Sequence, residues 1–185
     1  TQVKPTSMEV AFQQVVDFVA LIDMVWNHVH MAKKYDYCRP QLTDSYQSML
    51  QVTGLRHILI EQIQRDELYV TNDITLDKER GVLLYGTNAV GKSSLIRSIG
   101  ISVILAQAGM YVPCSSMVFT PFHSLFTRIL GNDNIFKGLS TFMVEMTELN
   151  TILTYADELS LVLDDELCSG TEIPSAIAIF TSAIE

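Results

Sequence analysis

After Pro5 the chain carries an apolar series at helical spacing. Thr6-Ser7-Met8-Glu9 reads as a capping box, with a hydroxyl at the helix start and a carboxylate three residues on. Val15, Phe18, Ile22, Val25, Trp26, Val29 and Ala32 recur at steps of three or four, which predicts one long helix to about Lys34. Its apolar residues cover more than one face, so it is expected to pack against further chain. His28 and His30 point about 200° apart on such a helix and cannot share a ligand. Tyr35 to Pro40 ends the helix, because the residue before a proline is pushed toward extended backbone.

Beyond residues 38–45 the pattern shortens to strand-length runs. Strands are predicted at Met49-Leu50-Gln51-Val52, with a turn at Gly54, and at Leu68-Tyr69-Val70, closed by Thr71-Asn72-Asp73. Ile74 to Arg80 is a connector or hairpin arm. Val82-Leu83-Leu84-Tyr85 predicts a short buried strand, and Ser94 to Met110 a helix that Tyr111-Val112-Pro113 stops. Val118-Phe119-Thr120 and Ser124 to Leu130 predict strands split by Pro121, and Gly131 to Asn134 a turn. A helix is predicted from Gly138-Leu139-Ser140-Thr141, with Met143, Met146, Leu149, Ile152 and Leu153 inward as core. Leu159 to Leu163 predicts a buried strand, and Thr171 to Ile184 a last helix. Such alternation predicts an α/β sheet with ligands at the carboxyl ends of its strands.

The chemistry centres on GTNAVGKSS, Gly86 to Ser94, which matches G-x-x-x-x-G-K-[ST] between the predicted strand and helix. Backbone N–H groups of such a loop and the helix N-terminus cradle phosphates. Gly86 and Gly91 permit the turn; Thr87, Asn88, Ala89 and Val90 complete the loop; Lys92 reaches phosphate oxygens; and the Ser93 hydroxyl ligates Mg2+, followed by Ser94. A nucleoside triphosphate, ATP if the chain is an ATPase, and Mg2+ are the ligands this predicts. Downstream, Asp164-Asp165-Glu166 closes an apolar strand, where such an ATPase needs one carboxylate for Mg2+ and one to polarise water. Three contiguous acids leave the register open between Asp164 and Asp165.

Nearly half of the 185 residues are apolar, enough for a core, and the net charge of −9 argues against this stretch being a nucleic-acid surface by itself. Cys38, Cys114 and Cys168 are scattered, without metal spacing, which fits a reducing intracellular compartment. Ile99 to Val112 is too short and interrupted for a bilayer span. The chain opens without methionine and stops within an apolar run, and so reads as part of a longer protein.

Several blocks resemble the MutS mismatch-repair ATPases. GTNAVGKSS is similar to their G-P-N-x-x-G-K-S-T loop, and LAQAGMYVPC (Leu105 to Cys114) to the segment after the loop helix. KGLSTFMVEMTELNTIL (Lys137 to Leu153) resembles the S-T-F-M-x-E-M block, and DELCSGTE (Asp165 to Glu172) the D-E-x-x-R-G-T-S block. Leu55-Arg56-His57 and Tyr69 to Asp73 resemble R-H-P and F-V-x-N-D. The D-E-L-C-S-G-T-E form is similar to the divergent subgroup of some large viruses and octocoral mitochondria. The resemblance implies a P-loop NTPase of ABC-like type, a mixed sheet flanked by helices, at residues 41–185, preceded by a helical lever or clamp segment at 1–40. It implies Asp165 as the Mg2+-side acid, Glu166 and Lys92 as catalytic, Tyr69 and Val70 on the adenine, and Asn88 by the phosphates. Ser140 would reach the partner's γ-phosphate across a homodimer or paralogous heterodimer, and mismatched duplex DNA would bind elsewhere in the parent. Thr87, Ile58 and Ser169 depart from the family pattern, the last where an arginine is usual. A chromosomal ATPase of the Rad50 or SMC type is disfavoured, since only about 70 residues separate Lys92 from Asp165. A nucleotide-sensing dimerisation module with little turnover is the alternative that the missing arginine and Asp164 suggest.

Overall fold

The computed structural model describes residues 7–44, 47–63, 68–77, 81–87, 90–129, 141–165 and 172–184. The apolar series forms helix α1, Ser7–Tyr35, whose last turn carries Lys33 and Lys34 against the negative helix end. Asp36 takes φ 53 and ends it, a left-handed position that Asp tolerates. Arg56 then grips that end. Its guanidinium donates to the carbonyls of Tyr35 at 2.9 Å and Asp36 at 2.7 Å, pairs with Glu61 at 2.8 Å, and lies over the Tyr37 ring. Only Ala32 of α1 is buried. Phe12, Phe18 and Trp26 are exposed, as a helix apolar on more than one face requires in this chain alone.

Four strands follow in one sheet: β1 (Gln41–Leu42), β2 (Leu50–Leu55), β3 (Asn72–Leu76) and β4 (Ser116–Phe119), ordered β1-β4-β2-β3. β2 pairs antiparallel with β3 and β4, while β1 pairs parallel with β4. Along β2, Leu50 and Val52 turn inward and Gln51 and Thr53 outward, the period-2 pattern of a sheet with one covered face. A short helix α2, Ile60–Ile63, lies between β2 and β3, and the buried His57 accepts backbone N–H groups from Leu59 and Ile60 at its start. Burial holds the His57 pKa below its ordinary value.

The long helix α3, Lys92–Gln107, lays Ile96, Ile99, Val103 and Ala106 into a core shared with Leu50, Val52 and Phe119. A parallel pair, β5 (Ser124–Arg128) and β6 (Ser160–Asp164), adds Leu161 and Leu163 to the same core. Gly100 lets α3 approach β6, since a Cβ there would stand 2.9 Å from Leu163 Cδ1. Each fully buried Leu, Val, Met or Phe contributes about 1.5–3 kcal/mol, so α3 is held mainly by this face. Helices α4, Thr141–Tyr155, and α5, Ile173–Ile184, complete a mixed α/β arrangement. Among the described residues no helix is long and apolar enough to cross a membrane.

Several expectations need correction. Val82–Tyr85 is not a buried strand: it lies outside both sheets, with Val82, Leu83 and Tyr85 exposed and only Leu84 against the core. A strand needs a neighbour's ladder as well as apolar side chains, and among the described residues nothing pairs with this one. Leu68 and Val70 are exposed and lie outside any strand, and the strand is instead Asn72–Leu76, which matches β2 in register. Gly54 is no turn but a bulge within β2, at φ 65. In α4 Met143 and Leu153 face solvent, while Glu145 and Ile152 are buried, because an ion pair draws Glu145 inward. The helix after the loop starts at Lys92, two residues earlier than predicted, and ends before Gly109 at φ 77. Thr6, the Gly131–Asn134 turn and the Gly138–Ser140 helix start lie outside the described residues.

Candidate nucleotide site

α3 starts from Gly91, at φ 93 and ψ 16, with no side chain capping its first N–H groups. The first turn of a helix leaves these donors without intrahelical acceptors, and its end carries partial positive charge. A Cβ at Gly91 would meet nothing within 4 Å, though the left-handed backbone there still favours glycine. Lys92 bends back over the loop and donates to the carbonyls of Gly86 and Thr87, each at 2.9 Å. Val90 stands exposed at the bend, and its Cγ2 would lie 3.2 Å from a Cβ on Gly86. Ser93 and Ser94 are half-buried, and the Ser94 carbonyl accepts the Ser98 hydroxyl at 2.7 Å. An ammonium, uncapped N–H groups and a hydroxyl within one helix start suit a polyphosphate with a hard cation shared between Ser93 and the phosphates. Asn88 and Ala89 lie outside the described residues.

The acidic run divides. Asp165 is only 6% exposed, and its backbone N–H donates to the Arg128 carbonyl at 2.8 Å. Asp164 pairs through Oδ1 with Arg128 Nη1 at 3.0 Å. Burial raises the Asp164 pKa, and the guanidinium beside it opposes that rise. The other arm of Arg128 meets Glu145 of α4 at 2.5 Å, and its Nε approaches Glu148 at 3.6 Å. Glu166 and Ser140 lie outside the described residues, as do Cys168 and Ser169. Tyr69 is half-exposed and Val70 80% exposed on the chain entering β3. No hydrogen bond, ion pair or ring contact among the described residues joins either to Gly86–Ser94. The loop and the acids share one framework instead, because α3 starts at the loop and packs along β6.

Two features escaped sequence reasoning. Arg128 and Glu145 each stood alone in an apolar segment, and a lone charge on an apolar face was the signal available. Two of the scattered cysteines meet: Cys38 Sγ and Cys114 Sγ stand 3.3 Å apart, where Cys38 and Val112 bridge antiparallel. Sharing a proton with Cys114 lowers the Cys38 pKa and raises that of Cys114.

A family profile described as MutS domain V matches residues 82–185. The chain is 40% identical over 178 residues to a mitochondrial DNA mismatch repair protein mutS homolog of Sarcophyton glaucum, covering 94% of this chain and 18% of that protein. It is 37% identical over 209 residues to a putative DNA mismatch repair protein mutS homolog of Acanthamoeba polyphaga mimivirus, covering 92% of this chain and 19% of that protein. With the DNA mismatch repair protein MutS of Staphylococcus carnosus it shares 38% identity over 174 residues, covering 94% of this chain and 20% of that protein. The chain therefore spans about a fifth of the length of the curated relatives it matches.

Proposed function

The chain belongs to the MutS domain V family, and from that premise we propose that it is the ATP-binding and hydrolysing core of a MutS-like mismatch-repair protein. In this reading it is a P-loop NTPase of ABC-like type over residues 41–185, and residues 1–40 belong to a lever or clamp that moves on mismatched DNA. The observation that carries the reading is Lys92, folded over the uncapped start of α3 at the one G-x-x-x-x-G-K-S motif of the chain. A viral and mitochondrial subgroup is the finer part of this reading, and relatives named as mitochondrial and viral mutS homologs, at 40% and 37% identity, stand beside bacterial MutS at 38%.

The residues would divide the work as follows. Lys92 exchanges two loop carbonyls for phosphate oxygens, and backbone N–H groups from Gly91 onward orient the chain of phosphates. Mg2+, when bound, neutralises charge on the phosphates; Ser93 and Asp165 would hold it. Glu166 would accept the proton of the attacking water and orient it. Tyr69 and Val70 would offer apolar surface to the base, a role that the 80% exposure of Val70 supports. Ser140 would complete the site of a second subunit, so that ATP favours the closed dimer by binding it better than the open one. The arginine replaced by Ser169 is the feature that favours the sensing module.

Equilibrium binding of a fluorescent ATP analogue, with turnover measured in parallel, tests these roles. Lys92→Ala is expected to lose nucleotide binding, and Glu166→Ala to keep binding and lose turnover. Equal loss of binding in both variants contradicts the roles. Binding without turnover in the unsubstituted protein identifies the sensing module.

A further inference from the structure

The acid preceding the metal-side residue finds no explanation in the nucleotide reading, on which the following inference rests. In a parallel pair, directly paired residues share a face and successive residues alternate between faces. Arg128 pairs with Asp164, and Thr127 with Leu163. Leu161 and Leu163 are buried against α3, whereas Val162 is 42% exposed. Asp164 therefore stands on the face of Val162, where Arg128 joins it to Glu145 of α4. Asp165, the residue just past the end of β6, is on the nucleotide reading the acid that serves the metal. Its backbone is fixed there by the bond from its N–H to the Arg128 carbonyl, and its side chain is buried.

We propose that Arg128 is a positioning residue that holds the Asp164 carboxylate on the α4 face of β6, leaving Asp165 alone of the two to face the metal. The guanidinium suits this task because its fork serves two carboxylates in fixed directions, which a lysine ammonium does not. With its side chain 5% exposed and two arms occupied, Arg128 is itself held rigid. The same fork ties the strand end to α4, whose N-terminal side carries the S-T-F-M-x-E-M block, so displacement of that helix would be transmitted to the acids.

Mn2+ binding provides a readout independent of turnover. The full-length protein, loaded with a non-hydrolysable ATP analogue, is titrated with Mn2+, and the free ion is measured by electron paramagnetic resonance. Arg128→Lys keeps a cation near Glu145 but releases Asp164, placing a second negative charge at the strand end. Mn2+ is then expected to bind about fivefold more tightly, in a less productive position, with slower turnover. Adding Asp164→Leu to Arg128→Lys is expected to return the Mn2+ affinity to within about twofold of the unsubstituted protein. A merely structural role for Arg128 predicts no such return. Should Arg128→Lys not fold, Asp164→Leu alone decides: unchanged Mn2+ affinity supports the inference, and a loss of about fivefold or more makes Asp164 a metal ligand and overturns it. Unmoved Mn2+ affinity in folded Arg128→Lys, or a double variant no closer to the unsubstituted protein, also overturns it. In those cases nucleotide uptake is normal; failure of the unsubstituted protein to take up nucleotide removes the ATPase reading and this inference with it.

Discussion

Gly54→Ala tests how the bulge in β2 is built. At φ 65 an alanine pays the left-handed strain of about 1–2 kcal/mol. Its Cβ would also stand 2.4 Å from Ser115 Oγ and 3.2 Å from Ser115 Cβ. The hydroxyl can rotate away, but the Cβ is held by the backbone, whose N–H donates to the Thr53 carbonyl at 2.9 Å. Crowding of this kind adds about 1–2 kcal/mol. The Gly54 N–H also donates to Asp73 Oδ1 at 2.7 Å, so the bulge has little freedom to shift. Together these give about 2–4 kcal/mol.

Hydrogen exchange of the β2 amides in the full-length protein reads this locally, and the stated cost corresponds to exchange about 30- to 1000-fold faster. In a Ser115→Gly background the contact is gone and only strain remains, so the same substitution is expected to accelerate exchange about 5- to 30-fold. An equal factor in both backgrounds, or a factor under about threefold in both, would refute the assignment of Gly54 to a close approach at positive φ.

The other predictions concern charge and sulfur. Arg56→Ala is expected to speed amide exchange in the last turn of α1 by at least about tenfold, since charge-assisted hydrogen bonds contribute about 1.5–3 kcal/mol. Arg56→Lys is expected not to restore it, because the guanidinium reaches the Tyr35 carbonyl and Glu61 through Nη1 and the Asp36 carbonyl through Nη2, and a single ammonium nitrogen does not span those positions. Iodoacetamide is expected to label Cys38 before Cys114, and to keep doing so as pH falls below the ordinary thiol range, because the lowered Cys38 pKa preserves thiolate there. Mass mapping of the alkylated peptides checks the order. Diamide, which takes up both thiol hydrogens as it is reduced to the hydrazine, is expected to join Cys38 to Cys114, removing two titratable thiols. Cys38→Ser is expected to abolish that loss. Lys92→Ala is expected to change stability without nucleotide by less than about 1 kcal/mol, since its loop hydrogen bonds are exposed, while removing the thermal shift that ATP produces.

What was legible in the sequence follows how local each determinant is. α1 could be read because its spacing and its stop are local, and the start of α3 because the motif imposes a glycine turn before a helix. Pro121 correctly separated β4 from β5. Val82–Tyr85 and Leu68–Val70 were misjudged because an apolar run records a preference for burial but not whether a partner strand stands beside it. Gly54 signals positive φ in turn and bulge alike, and only pairing with Asn72–Leu76 distinguishes them. In the candidate site, the loop and its lysine were legible as a motif. The pairing of Asp164 with Arg128 was not, because that partner lies 36 residues upstream. The meeting of Cys38 and Cys114 depends on a bridge across 76 residues.

Steady-state ATP turnover by the full-length protein, without DNA and with matched or mismatched duplexes, tests the central claim most directly. The account predicts Mg2+-dependent turnover that mismatched duplex alters more than matched duplex, and that Glu166→Ala abolishes. Turnover indifferent to the mismatch would contradict it.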